Sequence, residues 1–320
     1  MNSAPPPHTP NFFIIGAPKC GTTALSEYLR DHPAIFMCTP KEPYYFCQDF
    51  SGLPGPQSLE EYLALFSDAP AHAAALGEAS AMYLFSQKAA RQIRTFRPDA
   101  RIIVMLRNPV DLVYSFHSQL LYGLSENEPD FERAWALQNE RAAGHNIPTL
   151  AREPRFLQYR EVARLGKQMQ RLLEVFPRDQ VHTIFFDDFC TDTRNTYKNV
   201  LDFIGVEDDG RTDFARINTN RTFRNELLAR LLNRPPLWVS TLVRRLKRVF
   251  GLNNIGLLNP FRRANAVVGK RTPISTEFRN QLAEEFQEDI VLLGQLVDRD
   301  LSGWMPRASI ETRTTEALHT

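Results

Sequence analysis

Residues 12–25 read FFIIGAPKCGTTAL, and this stretch limits the fold more than any other. A short apolar run ends at Gly16, a turn built on glycine and proline follows, and Thr22-Thr23 lead into a helix reaching about residue 31. Strand, turn and helix in direct succession open a βα unit, and the same alternation runs down the chain. IFMC (35–38) reads as a short strand, LEEYLALF as a helix, LGEAS (76–80) as extended and 86–96 as helical. RIIVML (101–106) is the clearest buried strand, and Asn108-Pro109 supply the N-cap and first-turn proline of a helix to about 122. One long helix is expected over 158–176, a strand over VHTIFF (181–186) and a helix over 193–204 that ends at Gly205. Over 276–298, Phe278, Leu282, Phe286, Ile290 and Leu293 recur at helical spacing. The alternation implies an α/β fold: one three-layer domain with a central, mainly parallel sheet flanked by helices. In such sheets ligands bind beyond the carboxyl ends of the strands.

The turn after the first strand is P-loop-like. Gly16 and Gly21 have the spacing of the phosphate loop G-x-x-x-x-G-K-[ST], but Thr22 stands where the lysine belongs, and Lys19 lies inside the loop. The two glycines let backbone amides approach an anion, and Thr22-Thr23 offer hydroxyls and amides at a helix N-terminus. A second strand end adds to this. In RIIVMLRNPVDLVYS, Arg107 directly follows a buried strand and Ser115 lies two helical turns on. An arginine there can grip a phosphate bidentately, with the serine hydroxyl as a neutral partner. Two anion-binding strand ends on one sheet suit a ligand carrying two separate phosphates.

PKCGTT (18–23) resembles the PKxGTT 5′-phosphosulfate loop of the sulfotransferases, and RNPVDLVYS (107–115) resembles their 3′-phosphate motif. The resemblance covers about 11–307 and is nearest to bacterial sulfotransferase domains and the heparan sulfate N- and 3-O-sulfotransferases. It implies a nucleotide-binding transferase that uses 3′-phosphoadenosine 5′-phosphosulfate (PAPS), moves its sulfuryl group to a hydroxyl or amine and releases 3′,5′-ADP, with no metal expected. Donor contacts would come from Pro18, Lys19, Cys20, Gly21, Thr22, Thr23, Arg107 and Ser115. GKRTP (269–273) resembles the family's late K-G-R loop, which adds Lys270 and Arg271. KEPYYF (41–46) resembles the KE-x-x-F-F segment, so Glu42 matches the catalytic glutamate, with Lys41 and Tyr44 beside it toward the acceptor. GEASAMYL (77–84) resembles E-K-x-x-x-Y-F, which places Glu78 and Ser80 on the acceptor side. His117 ranks behind Glu42 as a base. Ala79 and Tyr44 stand where heparan-type members carry lysine and often histidine, which points away from a polyanionic glycan acceptor. Carbohydrate nonetheless remains the favoured acceptor, with lipid, small-phenol and peptide-tyrosine acceptors also open.

Two rival readings are a P-loop kinase or NTPase and a non-catalytic nucleotide-binding module on the same fold. The first needs lysine at position 22, and the second has no use for Lys19 and Glu42 together. A net charge of +1 gives no reason to expect a nucleic-acid partner. Cys20, Cys38, Cys47 and Cys190 form neither a CxxC pair nor a zinc spacing, and read as reduced thiols of a cytoplasmic protein. Residues 1–10 are expected as a disordered leader, 11–307 as the sulfotransferase domain and 308–320 as a flexible tail. WVSTLVRRLKRVFG (238–251) is basic and amphipathic, which suits a solvated helix covering the active site or packed on the core, with peripheral contact with an anionic membrane as the alternative.

Overall fold

In the computed structural model, which describes residues 8–217, 221–223, 266–268 and 273–306, the first strand lies at the centre of the sheet. Strands β1 (Phe12–Gly16), β2 (Ile35–Met37), β3 (Ala75–Ala79), β4 (Arg101–Leu106) and β5 (Val181–Phe185) form one sheet in the order β2-β3-β1-β4-β5, with every pair parallel. Helices covering both faces explain the composition of the inner strands. β1 is buried at all five positions, and β4 at every position after Arg101. β5, at an edge, leaves Val181, His182 and Thr183 partly exposed.

The strand order puts a switch point between β1 and β4. The chain leaves β1 through α1 (Thr22–Arg30) toward β2 and, after α2 (Leu59–Ala64), returns to β3 beside β1. It then crosses through α3 (Ala89–Phe96) to β4 on the opposite side of β1. Loops leaving the carboxyl ends of β1 and β4 therefore diverge and open a crevice, the usual ligand site of such sheets. α4 (Pro109–Tyr122) starts as expected, with the Asn108 side chain accepting from the Val110 N–H and proline in the first turn.

The stretch 158–176 departs from the expected single helix. A 3-10 turn over Pro154–Leu157 follows α5 (Phe131–Ala136) and α6 (Gln138–Ala142), and the helix is split into α7 (Tyr159–Val162) and α8 (Leu165–Leu173). The break has its own hydrogen-bond partners. Asp289 accepts from the backbone amides of Gly166 (2.7 Å) and Lys167 (3.0 Å), capping α8, while the Gln168 side-chain amide donates to the carbonyls of Glu161 and Val162. Glycine at 166 permits the close approach, because a Cβ there would lie 2.4 Å from the Asp289 carbonyl oxygen.

After β5 come α9 (Phe186–Thr191) and α10 (Thr193–Ile204), the latter closed at Gly205 as expected. A short antiparallel pair, β6 (Arg221–Phe223) with β7 (Ala266–Val268), was not anticipated. α11 (Thr276–Val297) buries the expected stripe of Phe278, Leu282, Phe286, Ile290 and Leu293, with Trp135 packed against Phe278 and Phe286. At the N-terminus Thr9 and Pro10 are buried, and Arg97 donates to the Thr9 hydroxyl, so these two residues belong to the packed body rather than to a leader. The segment 238–251 and the tail 308–320 lie outside the described residues.

Candidate active site

The crevice at the ends of β1 and β4 is a cleft of about 1350 Å³. Pro18, Lys19, Gly21, Thr22 and Thr23 line it from the first loop, Arg107 and Ser115 from the β4 side, and Glu42 and Tyr44 from the segment after β2. Residues far apart in sequence thus meet in one cavity. Lys270 and Arg271 lie outside the described residues.

The loop turns into α1 through Gly21 at φ 95°, an N-cap residue with no side chain to cap the helix. A Cβ at Gly21 would press on Met105, Phe186 and Phe189 at 3.2–3.3 Å, so both its conformation and its packing require glycine. This cradle fits an anion: a helix N-terminus without a side-chain cap, with Lys19, Thr22 and Thr23 on the same wall. Arg107 donates to the Lys19 carbonyl at 3.3 Å and lies over the Phe186 ring at 4.4 Å, which ties the two strand ends together. Cys20 differs from its neighbours. Its side chain is fully buried, and burial pushes the thiol up to about 12 against the nearby Arg107 and Lys19 charges, so its side chain belongs to the core.

Three non-glycine residues on this cleft hold left-handed backbone conformations: Lys19 (φ 66°), Glu42 (φ 61°) and Tyr44 (φ 57°). Such conformations cost about 1–3 kcal/mol each and persist only where the surroundings enforce them. Around Glu42 the enforcing contacts are visible. The Glu42 amide donates to the Ala79 carbonyl at 2.9 Å, and the Tyr44 amide to the Ser80 hydroxyl at 3.2 Å. One Glu42 carboxylate oxygen meets the Lys41 ammonium at 2.6 Å, and the other accepts from the Tyr44 hydroxyl.

Glu78 and Ser80, expected along the acceptor side, are fully buried beneath it and do not reach the cleft wall. The reason is local: β3 is an inner strand covered on both faces at its carboxyl end, so Glu78 points into the protein. Burial pushes its carboxyl up to about 7, opposed by hydrogen bonds from Ser80, Tyr62 and Tyr83. His117 is also buried, with a ring nitrogen 2.8 Å from the Glu128 carbonyl oxygen and its pKa lowered by desolvation. It packs against Phe131 and Tyr159 and is absent from the cleft wall, consistent with its rank behind Glu42.

Phe186, Arg152 and Arg216 also line the cleft and were not singled out from the sequence. Phe186 directly follows β5, so the strand-end argument that found Arg107 extends to it. Arg152 and Arg216 lie in irregular segments that carry no periodic signal.

Fold and cleft together define a P-loop-like α/β domain shaped to receive anionic groups from two adjacent strand ends. Comparison with known proteins narrows this: the chain belongs to the sulfotransferase domain family, whose sequence model matches residues 9–227. Human carbohydrate sulfotransferase 15 is 28% identical over 251 residues, covering 62% of this chain and 44% of its own length. Bovine bifunctional heparan sulfate N-deacetylase/N-sulfotransferase 2 is 28% identical over 220 residues, covering 67% of this chain and 23% of its own. The chain therefore spans less than half the length of these curated relatives. A crystal structure of a sulfotransferase from Alicyclobacillus acidocaldarius superposes with a TM-score of 0.67 at 27% identity, covering 92% of this chain and 98% of that one.

Proposed function

We propose that the chain transfers the sulfuryl group of PAPS to a hydroxyl or amine of an acceptor, releasing 3′,5′-ADP. One observation carries this reading: the Lys19 loop, Arg107 with Ser115, and Glu42 share one cleft. PAPS bound there supplies an activated sulfuryl group on a 5′-phosphate, together with a separate 3′-phosphate. The first loop, with Thr22 and Thr23 at the head of α1, holds the 5′ end, and Arg107 and Ser115 hold the 3′-phosphate. Lys19 stabilises the charge that grows on the leaving phosphate oxygen. A sulfuryl group in transfer carries less negative charge than a terminal phosphoryl group, so one lysine can meet a need that kinases meet with magnesium. Glu42 takes the acceptor proton as the new S–O or S–N bond forms, and Lys41 and Tyr44 hold its carboxylate in place. Two relatives are named for carbohydrate or heparan sulfate transfer, which supports a carbohydrate acceptor. Ala79 and Tyr44 argue against a densely anionic one.

Calorimetric titration tests the donor half of this reading. 3′,5′-ADP should bind about 10- to 100-fold more tightly than 5′-AMP, the range that charge-assisted hydrogen bonds to one additional phosphate provide. Arg107→Ala should erase most of that difference while costing 5′-AMP less, since Arg107 also braces the Lys19 carbonyl. Equal affinity for the two nucleotides in the wild-type protein would overturn the assignment.

A further inference from the structure

A chain of hydrogen bonds runs from the interior of the sheet to the strained turn that carries Glu42. At its base is Glu78 on β3, fully buried, with no ion pair to it found among the described residues. Its carboxylate accepts from the Ser80 hydroxyl at 2.6 Å and from the Tyr62 hydroxyl at 2.7 Å. Ser80 in turn accepts from the Tyr44 amide at 3.2 Å, and Tyr44 reaches the Glu42 carboxylate through its own hydroxyl. The ionisable groups facing Glu78 are Tyr62 from α2, Tyr83, Cys38 and Cys47, with Lys41 the cation that acts on it.

Burying a carboxylate is costly unless its oxygens are satisfied, and an apolar residue would fill the same space at lower cost. What a carboxylate adds here is polarity. A serine hydroxyl is a rotor that can donate or accept in several directions. With Glu78 accepting, the Ser80 hydrogen is committed inward and its lone pairs face the Tyr44 amide. That amide belongs to a residue whose backbone is left-handed, and Tyr44 and Glu42 flank a single proline.

We infer that Glu78 is a positioning residue that acts through Ser80 and Tyr44 to fix the Glu42 carboxylate in the cleft, an inference that rests on Glu42 being the base. It replaces the acceptor contact expected of Glu78 and Ser80 from sequence, since neither reaches the cleft. The role is conformational and involves no transfer of a proton to Glu78.

The test is Ser80→Ala, a near-isosteric change that removes the link and leaves Glu78 its hydrogen bond from Tyr62, measured in the wild-type and Glu42→Gln backgrounds. In the wild-type background kcat should fall about 10- to 100-fold, the scale of a small misplacement of a reacting group. Acceptor KM and 3′,5′-ADP affinity should stay within about two-fold, because uniform binding is untouched. In the Glu42→Gln background the loss should disappear, because the group being positioned is already disabled. Glu78→Gln, whose amide oxygen can still accept from Ser80, should keep most of the rate, whereas Glu78→Leu should reproduce Ser80→Ala. Equal losses in both backgrounds, or a raised acceptor KM at constant kcat, would overturn the positioning role. Full turnover by Glu42→Gln alone is a separate outcome that overturns the base assignment and the positioning role with it.

Discussion

Lys19→Ala is expected to lower kcat by about 10²- to 10³-fold, the usual cost of removing one preorganised electrostatic contact to developing charge. The substitution is a clean one. Lysine and alanine face the same penalty at φ 66°, so the loop keeps its backbone and loses the side chain beyond Cβ, ammonium included. Arg107 still reaches the residue-19 carbonyl, and Thr22 and Thr23 still line the cleft. Affinity for 3′,5′-ADP should therefore fall much less than kcat, the pattern of an interaction strongest in the transition state. Steady-state kinetics at saturating acceptor would show the split. A rate within a few-fold of wild type would remove Lys19 from the chemistry.

Glu42→Gln should cost about 10²- to 10⁴-fold in kcat, the span attributed to a positioned general base. Glutamine keeps the shape and can still accept from Tyr44, but it has little capacity to take a proton. Its effect on the fold should be small. The Lys41–Glu42 pair is partly exposed, at 16% and 28% of side-chain area, and pairs of that kind contribute about 0–1 kcal/mol. An unchanged melting temperature, unchanged 3′,5′-ADP affinity and a collapsed single-turnover rate would together identify the base. Turnover near wild type would move that role to another group.

The central strands and the cleft-lining residues at their carboxyl ends were legible because local sequence dictates them. FFIIG is apolar throughout, and RIIVML after Arg101, since helices cover both faces, and the residues after them fall at a crevice that the strand order creates. Asn108-Pro109 and Gly205 mark helix ends through their own backbone preferences. The break at 163–164 could not be read, because the group that satisfies it, Asp289, lies 123 residues from Gly166. Glu42 came from resemblance to a family rather than from any spacing rule, and its neighbours show why. The conformation of 42–44 is imposed from the end of β3, through the Ala79 carbonyl and the Ser80 hydroxyl. Depth was the other hidden quantity. Glu78 reads as a polar residue on a short strand, and only the packing around that inner strand reveals that its carboxyl end is buried.

The most direct test of the account is to follow sulfur. The purified protein would be given PAPS labelled in the sulfuryl group together with neutral oligosaccharide, sulfated oligosaccharide, phenolic and lipid-linked acceptors. The account predicts that label appears on a hydroxyl or amine acceptor, with one 3′,5′-ADP formed for each sulfated product. Tight binding of 3′,5′-ADP with no label transferred to any of these acceptors would contradict it and favour a nucleotide-binding module without catalysis.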